Sequence, residues 1–134
     1  MFKIGDEASL KKIFNEHEVL AFSHLSMDTN PVHLDEEYAK DTIFGNRIVH
    51  GFLYSSLISA VIATKLPGPG SIYMSQTLKF TKPVFLGEEV EAIVKVLNFD
   101  DVKGNLLLET ICIKNGDVQV VSGEALIKIL GHGK

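Results

Sequence analysis

Apolar residues make up 46% and charged residues 22% of the 134-residue chain, a composition that is typical of a folded domain and disfavours extended disorder. The net charge of −4 and a single arginine argue against nucleic acid as the main partner, because that binding depends on basic contacts to phosphates. One cysteine rules out a disulfide within the chain, and no stretch has the pattern of a signal peptide or the length of a membrane span. We therefore expect one cytoplasmic domain over residues 1–134, with neither a membrane nor a nucleic acid as partner.

The chain begins with a predicted short strand and a capped helix. The strand is expected over 8–14, and Asn15 with Glu18 three residues later has the spacing of a capping box. The helix that follows should end near Leu25, with apolar side chains spaced along one face. A second short helix is expected over 35–40, because an aspartate stands where it can cap the first turn.

Two loops and a long helix complete the first half of the chain. Residues 26–32 are predicted to form a loop, because Pro31 disfavours helical dihedrals at the residue before it. A second loop over 42–49 leads into a helix over 51–65, which a Pro-Gly-Pro-Gly sequence terminates. This helix is apolar almost all round, so we expect it to be buried.

The second half of the chain predicts four antiparallel strands. They are expected over 71–80, 88–99, 105–115 and 118–130, and an Asn-Gly pair predicts a hairpin between the last two. A sheet that follows one buried helix indicates an α+β fold in which the sheet wraps over the helix. Because the sheet covers only one face of an apolar helix, we expect a second copy of the chain to cover the rest as a homodimer.

The first loop contains a carboxylate, a carboxamide and an imidazole close together in sequence. They belong to Asp28, Asn30 and His33, and Pro31 restricts the backbone between them. A carboxylate with an imidazole is the smallest set of side chains that can move two protons at one centre. Asn30 adds donors that can fix a water molecule or a neighbouring side chain. This loop is therefore the strongest candidate for catalysis.

The second loop runs as Phe-Gly-Asn-Arg-Ile-Val-His-Gly over 44–51 and opens the long helix. Gly51 is expected near the helix N-terminus, where free backbone N–H groups and the helix dipole favour developing negative charge. Because it has no side chain, a ligand carbonyl can approach its backbone closely. This is the arrangement of an oxyanion hole for a thioester enolate. His50 is expected to be structural and to help place the turn at Gly51.

Together the two stretches resemble the signature of the MaoC-like (R)-hydratase family. The matching residues are Asp28, Asn30, Pro31, His33, Phe44, Gly45, Arg47, Ile48, His50 and Gly51. The resemblance covers nearly the whole chain and implies a dimeric hot-dog fold, a 2-enoyl-CoA substrate and an (R)-3-hydroxyacyl-CoA product. It also implies that Asp28 and His33 are catalytic and that the Gly51 N–H binds the thioester oxygen. No cofactor is required for this reaction.

Four further residues are candidates for substrate binding. Ser59 and Ile62 on the long helix are candidates for the acyl tunnel, although a buried serine more often bonds back to its own helix. Lys79 and Lys82 stand near the strand that follows the helix, where they could bind the anionic coenzyme A. Arg47 could also bind a phosphate, but a structural ion pair is at least as well supported.

Several alternatives stay open at the level of sequence. The same chemistry serves 3-hydroxyacyl groups on acyl carrier protein, and a hydrolytic thioesterase would also hold a thioester at a helix N-terminus. A non-catalytic thioester-binding module would be expected to have lost Asp28 or His33, and both are present. Asp28, His33 and His50 are ordinary zinc ligands, but no HExxH or cysteine pattern supports a metal site, so none is predicted.

Overall fold

The computed structural model describes residues 2–131, so the ends of the expected 1–134 domain lie outside the described residues. In chain order the elements are β1 (Glu7–Ile13), α1 (Glu16–Ser26), α2 (Pro31–Leu34), α3 (Glu36–Lys40), α4 (Gly51–Thr64), β2 (Ser71–Gln76), β3 (Lys79–Phe80), β4 (Glu89–Asp100), β5 (Asn105–Lys114) and β6 (Val118–Ile129). None of the helices in this range has both the length and the apolarity needed to cross a membrane.

The strands form one antiparallel sheet that packs over α4, which confirms the α+β architecture. The sheet order is β1-β4-β5-β6-β2, with β3 paired to β6. Along β4 and β5 alternate side chains are buried, as expected for a sheet with one face against a core. Ile58, Val61 and Ile62 of α4 are at most 1% exposed and form the helical side of that core.

The predicted strand over 71–80 is wrong as a single element, because the structure divides it into β2 and β3. A bulge at Met74 shifts the register of β2 against β6, and the chain then crosses close to Gly123. A Cβ on Gly123 would lie 1.8 Å from the carbonyl oxygen of Thr77. Only glycine therefore permits this crossing, and the interruption results from a long-range contact that the local alternation does not contain.

The predicted loop over 26–32 ends two residues earlier than expected. The Asn30 side chain accepts a hydrogen bond from the Val32 N–H and caps α2, which begins at Pro31. Proline suits this first helical position because the N–H that it lacks would have no partner inside the helix. The predicted capping box of α1 is confirmed, since the Asn15 N–H donates to the Glu18 carboxylate at 3.0 Å.

The prediction that α4 is buried all round is only partly right. The side facing the sheet is buried, but Phe52 at the start of the helix is 69% exposed. Tyr73 and Met74 of the edge strand β2 are also exposed, and Phe52 and Tyr73 line the same surface cavity. The protomer therefore presents a connected apolar surface beside one edge of its sheet.

Candidate active site

The Asp28 carboxylate lies on an exposed turn that connects α1 to α2. Met27 ends α1 in the left-handed region with a φ of 69°, which turns the chain out of the helix. The Asp28 Oδ1 accepts a hydrogen bond from the Asn30 N–H at 3.3 Å, and the Asp28 N–H donates to Ser26 Oγ at 3.1 Å. These local bonds shape the turn but do not connect the Asp28 side chain to the core.

His33 is held from several directions and is only 8% exposed. Its Nδ1 lies 2.8 Å from the carbonyl oxygen of Ile48. Because a carbonyl oxygen can only accept, Nδ1 carries the hydrogen in the neutral ring, and this assignment leaves Nε2 with a free lone pair. His33 is therefore fixed in the tautomer that can accept a proton at Nε2.

Arg47 fixes the backbone of His33. Its Nε donates to the carbonyl oxygen of His33 at 2.7 Å, and its two terminal nitrogens bind both carboxylate oxygens of Glu16 at 2.5 and 2.8 Å. The hydrogen bond from Arg47 lowers the pKa of the Glu16 carboxyl. Of the two roles considered for Arg47, the structure shows the ion pair. Because Glu16 belongs to α1 and His33 belongs to α2, Arg47 connects these two helices.

The first residue of α4 is Gly51, and His50 is its N-cap. A helix gives the N–H of its first residue no internal acceptor, so the Gly51 N–H is available to a ligand. A Cβ at this position would lie 2.6 Å from Cε1 of Phe80, so the glycine lets this ring pack directly against the start of α4. Gly51 also lines a cavity that His33 shares.

The three polar side chains meet at one place. Asp28, His33 and His50 bring ligand-type atoms within 4.8 Å of one another, and the rings of His33 and His50 stack at 3.8 Å between centroids, with 26° between their planes. Imidazole lone pairs lie in the ring plane, so two stacked rings direct them along nearly parallel lines and not at one ion. The cluster is therefore better suited to proton transfer than to tetrahedral metal coordination.

A cavity of about 390 Å³ opens beside this cluster and is mostly apolar. Its lining includes His33, Gly51, Tyr54, Phe80 and Lys82. Burial raises the pKa of Tyr54 to about 12, so this phenol stays neutral in the physiological range. Sequence reasoning missed Tyr54, although its place three residues after Gly51 on the same helix face was a usable signal.

The other predicted substrate-binding residues are not gathered at this cavity. Lys82 is in its wall, whereas Lys79 lines a different depression on the sheet. Ser59 is exposed on α4, and Ile62 is 1% exposed in the core. The protomer alone thus places one of these four residues next to His33 and Gly51.

The chain is similar to known proteins in sequence and in fold. A sequence model for the family described as "MaoC like domain" matches residues 4–113. The chain belongs to the MaoC-like family. This confirms the family expected from the two loop motifs.

Three relatives show how far the likeness of this MaoC-like chain extends. An (R)-specific enoyl-CoA hydratase of Rhodospirillum rubrum is 45% identical over 98% of this chain and 90% of its own length. A mitochondrial 3-hydroxyacyl-[acyl-carrier-protein] dehydratase of Arabidopsis thaliana is 34% identical, over 93% and 76% respectively. The solved structure of an (R)-hydratase from A. caviae involved in PHA biosynthesis superposes with a TM-score of 0.92 at 44% identity, covering 96% of this chain and 97% of that one. These matches confirm the expected hot-dog fold.

Proposed function

We propose that this MaoC-like protein catalyses the reversible, (R)-specific hydration of trans-2-enoyl-CoA to (R)-3-hydroxyacyl-CoA. The observation that carries this proposal is that His33, which shares a cavity with Gly51 at the N-terminus of α4, lies with the Asp28 carboxylate in one cluster whose ligand atoms are within 4.8 Å of one another. Hydration of a conjugated thioester requires a group that takes a proton from water, a source of a proton for the α-carbon, and a donor for the enolate oxygen. The similarity to (R)-specific enoyl-CoA hydratases at 44–45% identity supports the same reaction.

In the proposed mechanism Asp28 and His33 share one water molecule. His33 Nε2 accepts a proton from the water while its oxygen attacks the β-carbon, and the π electrons move to the thioester oxygen. The nearby Asp28 carboxylate stabilises the imidazolium that forms. His33 then returns the proton to the α-carbon as the thioester carbonyl reforms. Because the oxygen and the proton come from one water, both add to the same face of the double bond.

The Gly51 N–H is proposed to stabilise the enolate oxygen during this step. The helix dipole and the absent side chain act together here, since one favours negative charge and the other lets the oxygen reach the N–H. A single donor of this type is typically worth about 3 kcal/mol in the transition state, and each acid or base group about 10²–10⁴-fold in rate. Asn30 is proposed to support Asp28 and to cap the helix that carries His33.

As the carrier of the acyl group we propose coenzyme A in preference to acyl carrier protein. Lys82 in the cavity wall can meet a phosphate or pyrophosphate of CoA. More distant contacts with coenzyme A and the acyl chain are proposed for Lys79, Ser59 and Ile62. The similarity is higher to the CoA-dependent relative than to the carrier-protein dehydratase, at 45% against 34% identity.

We also propose a homodimer and a single domain over residues 1–134. The unpaired edge of β2 lies beside exposed Phe52 and Tyr73, and an open edge with apolar neighbours favours addition of a second chain. Met74→Lys should shift the mass measured by light scattering towards the monomer, whereas Ile13→Lys on the opposite edge strand β1 should not. An unchanged mass for Met74→Lys would contradict an interface at β2.

A reducing, cytoplasmic compartment is proposed from the single thiol. Cys112 is buried in β5, and burial raises its pKa to about 12, so the reactive thiolate form is scarce.

The reaction is tested with purified protein and crotonyl-CoA. Hydration should lower the absorbance of the enoyl thioester without releasing a free thiol, and the product should be (R)-3-hydroxybutyryl-CoA. Release of CoA thiol at a comparable rate would identify a thioesterase instead. Crotonyl groups on acyl carrier protein, assayed in parallel, should react more slowly than crotonyl-CoA.

A further inference from the structure

His50 is enclosed by groups of the active site although the proposed reaction does not use it. The side chain is 2% exposed and lies between two rings. His33 stacks on one face at 3.8 Å, and the ring of Phe22 meets it at 4.8 Å with a 67° angle. Its backbone caps α4, next to the N–H of Gly51. His50 thus contacts the His33 ring and is adjacent to the N–H of Gly51.

Within residues 2–131 the side-chain hydrogen bonds of His50 all involve one ring nitrogen. Its Nε2 lies 3.1 Å from the carbonyl oxygen of Asp28 and 2.9 Å from Ser23 Oγ. The carbonyl can only accept, so Nε2 carries the hydrogen, and Nδ1 is a buried nitrogen with no hydrogen-bond partner among residues 2–131. His50 is therefore in the opposite tautomer to His33.

The two catalytic residues differ in how much they depend on this contact. His33 has independent bonds to Ile48 and Arg47, and its N–H donates to the carbonyl oxygen of Asn30. The other hydrogen bonds of Asp28 connect it to its own turn, to residues two positions away. The bond from His50 is its long-range connection to the core.

We propose that His50 is a positioning residue that holds the Asp28 turn against the His33 ring, so that the carboxylate and Nε2 of His33 face one water molecule. This inference rests on the proposed function, in which Asp28 and His33 act together on the water molecule. Burial lowers the pKa of His50, the hydrogen bond to the Asp28 carbonyl opposes this, and the adjacent His33 adds to the lowering, so the net effect disfavours the charged form of His50. Because His50 is not among the residues that line the cavity beside Gly51, its loss should affect turnover and leave substrate binding nearly unchanged.

Two substitutions separate the ring from the donor. His50→Phe keeps a ring between Phe22 and His33 but removes the Nε2 hydrogen, whereas His50→Gln keeps an N–H near that position and removes the ring. We expect kcat for crotonyl-CoA to fall about 100-fold in His50→Phe and less than about tenfold in His50→Gln, within the range that one misplaced catalytic group costs. KM should change less than about threefold in both.

A matched control is Ser23→Ala, which removes the other contact of Nε2 and leaves the bond to Asp28. It should keep kcat within about threefold of the wild type, because the hydrogen bond to the Asp28 carbonyl persists. Wild-type kcat in folded His50→Phe, or a kcat in His50→Gln as low as in His50→Phe, would overturn the proposal. So would a loss in His50→Phe that the folded fraction, measured by circular dichroism, accounts for entirely.

A spectroscopic readout on the unaltered protein does not depend on how the variants fold. Long-range proton–nitrogen NMR of imidazole-labelled protein should show His50 with its hydrogen on Nε2 and His33 with its hydrogen on Nδ1. His50 protonated on Nδ1 would overturn the inference, because the bond to Asp28 could not then exist. If crotonyl-CoA is not hydrated, the proposed function fails, while the tautomers still report whether His50 holds the Asp28 turn.

Discussion

The two residues proposed to be catalytic, His33 and Asp28, lie in surroundings of very different rigidity. His33 is buried, its ring is fixed by Ile48 and its backbone by Arg47, whereas Asp28 is exposed on a turn with mostly local hydrogen bonds. The site therefore combines His33, which several contacts fix in the fold, with Asp28, whose turn is held to the core by the hydrogen bond from His50. The difference indicates that losses of rate can arise either from removing a reacting group or from releasing the exposed turn.

Removing a reacting group should have the largest effect. His33→Gln and Asp28→Asn should each reduce kcat for crotonyl-CoA by about 10²–10⁴-fold, because each group acts directly on the shared water. Circular dichroism should show both variants folded, and Asp28→Asn should leave stability almost unchanged because residue 28 is exposed. A folded variant with near-normal turnover would remove that residue from the mechanism.

Blocking the oxyanion site is expected to come next. Gly51→Ala places a Cβ against the Phe80 ring at 2.6 Å, so the ring must move beside the proposed oxyanion site, and we expect kcat/KM to fall about tenfold to 100-fold. Gly51→Ala combined with Phe80→Leu relieves the contact and should recover part of the loss. If the double variant is no better than Gly51→Ala, the Phe80 contact is not the cause.

A smaller effect is expected at the cavity wall. Lys82→Ala should raise KM for crotonyl-CoA about threefold to tenfold with little change in kcat, and the effect should shrink at high salt because it is electrostatic. Lys11→Ala is the matched control, since this lysine is exposed on β1 and does not line the cavity. Equal effects of the two substitutions would indicate general attraction of CoA and no specific contact at Lys82.

The smallest expected effect concerns the ion pair that fixes His33. Arg47 lowers the pKa of Glu16 in the folded protein below its ordinary value of 4.5, so the pair stabilises the fold above that pH. As the pH falls through the lowered folded-state pKa, the carboxylate gains a proton and that contribution is lost. Wild type should therefore melt at a higher temperature than Glu16→Gln at neutral pH, and the difference should shrink in acid. A difference that does not depend on pH would contradict this role.

Local patterns in the sequence accounted for much of this molecule. The capping pair of Asn15 and Glu18, the long helix and the hairpin between β5 and β6 follow from short-range chemistry, and the structure has each of them. The break between β2 and β3 could not be predicted. It depends on the close contact between the Thr77 carbonyl and Gly123 in β6, which are far apart in the sequence.

The site divides in the same way. The loop motifs were enough to select Asp28, His33 and Gly51, because residue types and spacing suffice to suggest acid–base chemistry at a helix N-terminus. The stacking of His50 on His33, its bond to Asp28 and the opposite tautomers of the two rings are tertiary contacts. Such contacts depend on where two loops meet in space, and the sequence pattern of either loop does not contain that information.

Hydration of crotonyl-CoA in deuterium oxide tests the shared-water mechanism most directly. If Asp28 and His33 act on one water beside the Gly51 N–H, the product of the first turnovers is (R)-3-hydroxybutyryl-CoA with a single deuterium at the α-carbon, on the same face as the new hydroxyl. The (S) product, a deuterium on the opposite face, or a mixture of both positions would contradict it.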